Sequence, residues 1–122
     1  MSDINIIRGD TANLDLVCYQ AGSSQIPADL TNAEVFFTVK EQRKHADDLA
    51  VVKKCTPIQN GIAITNPTQG EATVLIPPAE TSTLLTGPHW YDVQVKDSIG
   101  DVATLITGRF IVEYDITRRI VC

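Results

Sequence analysis

The sequence predicts an all-β fold, an immunoglobulin-like antiparallel β-sandwich of about seven to nine strands with one short helix near residues 78–85. Apolar side chains recur with a period of two along most of the chain. Turn-forming residues separate these runs at intervals of roughly ten residues, and only one stretch has helical features. This spacing favours an antiparallel sandwich or barrel over a βαβ fold, and it leaves the choice between sandwich and barrel open.

The first half of the chain is predicted to form three strands, at residues 4–8, 13–19 and 34–40. The last of these is the clearest, because its apolar and polar side chains alternate strictly except at Phe36, an aromatic residue expected on the outward face. The residues expected to point inward from the second and third strands are Leu14, Leu16, Cys18, Val35, Phe37 and Val39.

The second half is predicted to contain strands at 49–55, 62–64, 71–76, 90–98 and 102–114. Asn60-Gly61 is typical of a hairpin turn, because both residues tolerate positive φ. The helix candidate is 79–85, which follows Pro77-Pro78, carries Glu80 in its first turn and is ended by Gly87-Pro88. The residues expected to face the core are Ala72, Val74, Ile76, Tyr91, Val93, Val95, Ile106, Phe110 and Val112.

Length and charge restrict the classes of protein. The 122 residues predict one domain, 1–122, with a short tail at 115–122. The net charge of −5 argues against nucleic acid or an anionic membrane as the main partner, because both require a positive surface. The chain shows neither a signal peptide nor a transmembrane run, so export by the usual N-terminal secretory signal is not expected.

The three cysteines, Cys18, Cys55 and Cys122, are too few and too widely spaced for a disulfide framework or a zinc site. Cys18 lies in an apolar strand pattern and is expected to behave as a small buried hydrophobic residue. Cys122, the last residue, is expected to be accessible to solvent. This usage fits a reducing compartment.

Several groups of residues resemble functional motifs but have simpler interpretations. Arg8-Gly9-Asp10 spells an integrin-binding tripeptide, and its glycine is better explained by a turn between the first two strands. His45, Asp47 and Asp48 are interpreted as a solvated loop rather than a metal site. His89 has no suitably spaced nucleophile and is expected to be a packed or edge histidine. A calcium site formed by Asp92, Asp97, Asp101 and Asp115 is not favoured, because no EF-hand pattern is present.

The sequence thus predicts no catalytic residue, no metal ligand and no cofactor. The residues that suggest a function are Phe36 and Trp90, aromatic side chains expected on outward faces of strands. A loop covering them is one interpretation. A protein–protein contact is the other, because aromatic residues are enriched in such interfaces.

A set of motifs follows in a fixed order over about residues 4–118. The motifs are Ile7-Arg8-Gly9-Asp10, Pro27-Ala28-Asp29-Leu30-Thr31-Asn32-Ala33, Val35-Phe36-Phe37-Thr38-Val39-Lys40, Asn60-Gly61-Ile62-Ala63-Ile64-Thr65, Pro77-Pro78-Ala79-Glu80-Thr81, Trp90-Tyr91-Asp92-Val93-Gln94-Val95 and Gly108-Arg109-Phe110-Ile111-Val112. Together they resemble small β-sandwich domains of tailed-phage virion proteins, in particular the N-terminal domain of baseplate upper proteins, and the resemblance implies a protein made in the bacterial cytoplasm.

This resemblance implies a non-catalytic structural subunit of a phage or prophage tail or baseplate, located in the virion. Other tail or baseplate proteins, or further copies of the chain, would be its partners, through burial of a surface patch and β-edge pairing. Because baseplate relatives continue into a longer C-terminal region, a stand-alone accessory or connector subunit is expected. The alternative is a carbohydrate- or ligand-binding β-sandwich module, which would show an exposed aromatic platform with polar residues beside Trp90.

Overall fold

The computed structural model of the chain describes residues 3–22, 25–42, 44, 46 and 49–115. Within these ranges the chain forms eight strands and one short helix, α1. The predicted all-β sandwich is confirmed, since the strands form two sheets. The strands are β1 (Ile4–Ile7), β2 (Ala12–Val17), β3 (Glu34–Lys40), β4 (Val52–Cys55), β5 (Ile62–Asn66), β6 (Glu71–Ile76), β7 (Gly87–Lys96) and β8 (Val102–Glu113), and α1 spans Pro78–Thr81.

The larger sheet has five strands in the order β1-β8-β7-β3-β4, and the smaller sheet has three in the order β2-β6-β5. Neighbouring strands are antiparallel with one exception, the parallel pair of β1 and β8, in which Ile4 lies opposite Phe110. The antiparallel prediction therefore needs this correction. It arises because β1 enters the sheet beside the last strand, and the chain then crosses to the other sheet to form β2.

The core lies between the sheets and is formed by the inward side chains that the alternation predicts. Phe37 is fully buried, and its ring centroid lies 5.6 Å from that of Tyr91 and 6.1 Å from that of Phe110. Burial of each large apolar side chain contributes about 1.5–3 kcal/mol. Two residues expected in the core, Leu14 and Ile106, are only partly buried and pack at its margin, where the two sheets leave a flank open.

The prediction of a hairpin at Asn60-Gly61 is wrong. β4 and β5 belong to different sheets, so the segment between them crosses the sandwich. Residues Ile58–Asn60 form a 3₁₀ turn that Gly61 ends at φ 106°. Glycine is needed here for its positive φ, as the hairpin motif also requires, but the turn it closes is a different one. The preceding strand is also shorter than the predicted 49–55.

The helix is shorter than the predicted 79–85. After Thr81 the hydroxyls of Ser82 and Thr83 donate hydrogen bonds to the carbonyl oxygens of Ala79 and Glu80. Such local bonds compete with continuation of a helix. In the described part of the chain, no helix is long and apolar enough to span a membrane.

The Arg8-Gly9-Asp10 tripeptide forms the turn between β1 and β2, as expected. Gly9 adopts φ 88°, and its amide donates to the Thr81 hydroxyl at 3.1 Å. The same hydroxyl donates to the Asp10 carbonyl oxygen at 2.7 Å. Arg8 forms an ion pair with Asp115, with Nε and Oδ1 at 3.3 Å. The arginine and the glycine thus have structural roles.

Candidate functional site

The outer face of the five-stranded sheet carries both aromatic residues that the sequence singles out. Phe36 on β3 and Trp90 on β7 point away from the core, and each is half-buried. Four residue positions separate their levels along the strands, because Phe36 lies opposite Gln94, four positions after Trp90. That offset corresponds to about 13 Å along the strand direction. The structure therefore places them on one face but not in contact.

Trp90 lies in a depression of about 230 Å³, and Phe36 does not line it. We call this depression the Trp90 groove. The strand segments at Tyr91 and Gly108 complete its lining. Its functional side chains are Thr38, Lys40, Trp90, Asp92 and Thr107.

The strand register explains why the Trp90 groove is polar around its aromatic ring. In one row across the sheet, Trp90 lies between Lys40 on β3 and Arg109 on β8. In the next row, Asp92 lies between two threonines, Thr38 and Thr107. Directly opposed side chains on one face are about 4.5–5.5 Å apart at Cβ. The groove thus combines an indole, a cation, a carboxylate and hydroxyls within reach of one another.

An ion pair fixes one side of this row. The carboxylate of Asp3 accepts hydrogen bonds from Nη2 of Arg109 at 3.0 Å and from its backbone amide at 3.4 Å. These bonds lower the pKa of Asp3 below its ordinary value of 3.8. Arg109 is thereby held beside Trp90, at the edge where β1 begins.

The environment of Phe36 is less polar, and Phe36 lies outside the Trp90 groove. Across β3 it lies opposite Cys55 on β4 and Gln94 on β7. Cys55 is a half-buried free thiol. Its neighbours indicate that Phe36 contributes apolar area to the face, whereas Trp90 carries the specific geometry.

The acidic residues considered as calcium ligands lie in separate places. Oδ1 of Asp97 accepts bonds from the backbone amides of Ile99 and Asp101 and so shapes the β7–β8 turn. Asp92 lies on the sheet face, and Asp115 pairs with Arg8. Among the described residues, no group of three or more His, Cys, Asp or Glu side chains could hold a metal ion. His45, Asp47 and Asp48 lie outside the described residues.

His89 and Cys18 are buried residues, as the sequence predicts. The His89 side chain is 2% exposed, and its Nδ1 lies 3.1 Å from the Gly87 carbonyl oxygen. Cys18 is fully buried, and that burial raises the pKa of its thiol. Cys122 lies outside the described residues. Neither buried group is placed to react with a bound molecule.

A second depression, of about 460 Å³, opens on the flank where β1 and β2 lie. We call it the side groove. The alternation pattern did not reveal it, because it arises from a mismatch of strand lengths. Tyr91 lines this groove as well, and the pKa of its hydroxyl is raised by burial and, further, by the carboxylate of Asp3.

Comparisons with known proteins concern the fold. No protein-family model matches the chain, and no curated protein sequence matches it. Among solved structures, it is similar to the N-terminal domain of phage TP901-1 ORF48, with a TM-score of 0.56 and 12% identity over 92% of this chain and 85% of that one. AggA, the major subunit of aggregative adherence fimbriae type I from Escherichia coli, aligns with a TM-score of 0.31 and 14% identity over 94% of this chain and 91% of that one.

Proposed function

We propose that the chain is a non-catalytic assembly subunit of a phage or prophage tail or baseplate, acting as one domain through protein–protein contacts. The observation that carries the proposal is the fold shared over nearly the whole chain with a domain of a phage protein. Fold alone does not fix function. The outer sheet face supports the same reading, because its polar and aromatic groups suit association rather than chemistry.

The proposed contact surface is the outer face of the five-stranded sheet, centred on Trp90. Tryptophan and arginine are enriched among residues that dominate binding energy, and here Trp90 and Arg109 are cross-strand neighbours. Asp92, Thr38 and Thr107 supply hydrogen-bonding groups around them. A partner that covers this face would bury the indole and contact these groups. Other tail proteins or further copies of the chain are the proposed partners, in the virion.

Light scattering tests this proposal, on the chain alone and mixed with purified phage tail and baseplate proteins, with reductant present to keep the cysteines reduced. We expect a species heavier than the 13.3 kDa monomer. Trp90→Ala should weaken it by at least about thirtyfold, as for a residue at the centre of an interface. Leu85→Ala is the matched control, because Leu85 is a 63% exposed apolar residue after α1. A chain that stays monomeric alone and in every mixture would contradict the proposal.

A second candidate function is binding of a carbohydrate, and the composition of the Trp90 groove favours it. A half-buried indole beside a carboxylate, an ammonium group and two hydroxyls offers both an apolar platform and hydrogen-bonding groups for a sugar ring. The chain contains a single tryptophan, so its emission reports on this groove alone. A saccharide that shifts the emission without changing the mass would favour this candidate. A glycan array without binders would count against it.

A further inference from the structure

The five-stranded sheet is incomplete along part of one edge. β8 has twelve residues, whereas its neighbour β1 has four. β8 pairs with β7 from Val102 to Val112, with a bulge at Leu105, but β1 covers only the segment from Phe110 to Glu113. In the described residues, no strand pairs with positions 102–109 on that side. The backbone there presents hydrogen-bonding groups of the kind that edge strands offer to a further strand.

Asp3 marks the point at which the ladder between β1 and β8 ends. The amide of Arg109, directly beyond the paired segment, donates to the Asp3 carboxylate at 3.4 Å rather than to a strand carbonyl. Because strand amides alternate in direction, the amide of Thr107 points to the same side as that of Arg109. It lies where the next ladder bond would form.

The side groove meets this edge at Ile106, with β2 of the smaller sheet opposite. Its apolar lining comes from both sheets, and Ile4, Leu14 and Ile106 are only partly buried there. Asp3 and Asp15 line it as well, and the described residues of its lining include no lysine, arginine or histidine. The Asp3 carboxylate is paired with Arg109, and the exposed Asp15 carboxylate accepts a hydrogen bond from the Thr73 hydroxyl at 3.1 Å. The groove is thus apolar between the sheets, with two acidic residues at its rim.

We propose that the side groove binds an extended segment of a partner polypeptide, which pairs as an added strand with residues 102–109 of β8. Alternate apolar side chains of that segment insert between the sheets, and a lysine or arginine meets Asp15. Addition of a strand to a free edge obtains affinity from main-chain hydrogen bonds and specificity from alternate side chains. A different polypeptide is a better occupant than a second copy, because the chain's net charge of −5 opposes an acidic groove.

The site lies on another surface than the Trp90 groove, so it can be tested separately from the proposed function. The probe is a synthetic ten-residue peptide that alternates valine and threonine and ends in lysine. Backbone hydrogen exchange followed by NMR should show an unprotected Thr107 amide in the free protein and a protected one with the peptide. The same peptide with a central proline should bind more weakly, because proline removes a ladder donor.

Two variants of the groove test the contacts. Ile106→Arg should abolish peptide binding by filling the apolar part of the groove. Asp15→Lys should weaken binding about fivefold, as reversal of an exposed charge allows, whereas Asp101→Lys makes the same change of charge in the β7–β8 turn and should leave binding unaltered. The thermal unfolding of each variant shows whether it is folded. If Ile106→Arg is not folded, Asp15→Lys remains as the test of the groove.

Two results would overturn the proposal. The first is peptide binding that leaves the exchange of residues 102–109 unchanged, or no binding at all. The second is protection of these amides at high protein concentration without peptide, together with a doubling of mass, which would make a second copy the occupant. Failure of the peptide to bind would not contradict the proposal that the Trp90 face is a contact surface. Loss of assembly in Trp90→Ala would not contradict the proposal of strand addition.

Discussion

The two grooves of this sandwich share Tyr91 in their linings but differ in kind. The Trp90 groove lies on the outer face of the larger sheet, so a partner there meets mainly side chains. The side groove meets an edge of β8 that no strand of the described residues covers, so backbone groups face it too. The comparison teaches that a small sandwich can present a side-chain surface and a backbone surface at once, each suited to a different partner.

The largest expected effect comes from the aromatic core that supports both grooves. Phe37→Ala removes a fully buried ring that packs against Tyr91 and Phe110. We expect a loss of about 3–5 kcal/mol in the free energy of unfolding, measured in urea. Leu85→Ala, at an exposed site, should change it by less than about 0.5 kcal/mol. A small loss for Phe37→Ala would show that the two grooves do not depend on one core.

A smaller loss in the free energy of unfolding is expected from a substitution at Gly70, which holds the end of β2. Gly70 adopts φ 70°, and an added Cβ would overlap the carbonyl oxygen of Cys18, while the Gly70 carbonyl accepts the Cys18 amide at 2.8 Å. Gly70→Ala should cost about 2–4 kcal/mol of unfolding free energy. Gly100→Ala, with φ 98° but open space around it, should cost about 1–2 kcal/mol.

Gly70→Ala also distinguishes the two grooves. Gly70 supports β2, which lines the side groove, whereas Trp90 lies on the other sheet. Trp90 emission of folded Gly70→Ala should match that of the wild type. Equal costs for the two glycine variants would contradict the close approach at Gly70.

The turn that joins β1 to β2 gives the next effect. Thr81 is buried, and its hydroxyl binds the Gly9 amide and the Asp10 carbonyl. Thr81→Val should lower the free energy of unfolding by about 1–3 kcal/mol, because it leaves these groups without their partner. Thr83→Val, whose hydroxyl is exposed and bonds locally to Glu80, should change it by less than about 0.5 kcal/mol. Similar losses for both would argue against a role of Thr81 in holding the turn.

The smallest effect concerns pH at the ion pair between the grooves. Because bonding to Arg109 lowers the pKa of Asp3 in the folded state, the pair contributes stability above the ordinary value of 3.8. That contribution disappears as the pH falls below 3.8 and through the folded-state pKa. Asp3→Asn should therefore reduce the difference in urea midpoint between neutral and acidic pH. In the Arg109→Gln background, Asp3→Asn should leave this difference in urea midpoint unchanged. If Asp3→Asn has its full effect there, Arg109 is not the cause of the pH dependence.

Local pattern predicted the strands but not the pairing between them. Strict alternation placed β3 and β6 at their observed bounds and put Phe37 in the core and Trp90 outside. The Asn60-Gly61 motif was misread, because a positive φ serves a 3₁₀ turn as well as a hairpin. The side groove could not be predicted, since it depends on which strand lies beside β8 and how far β1 extends. Alternation of apolar and polar residues does not indicate which strands are neighbours or how far each strand extends.

The most direct test of the central claim uses Trp90 as its own reporter. Acrylamide quenching of its emission should be compared between the monomer and the assembled species isolated by size. If the outer sheet face is the contact surface, quenching should fall and the emission should move to shorter wavelength on assembly, because a half-buried indole becomes covered. An assembled species in which Trp90 is quenched as readily as in the monomer would contradict this account.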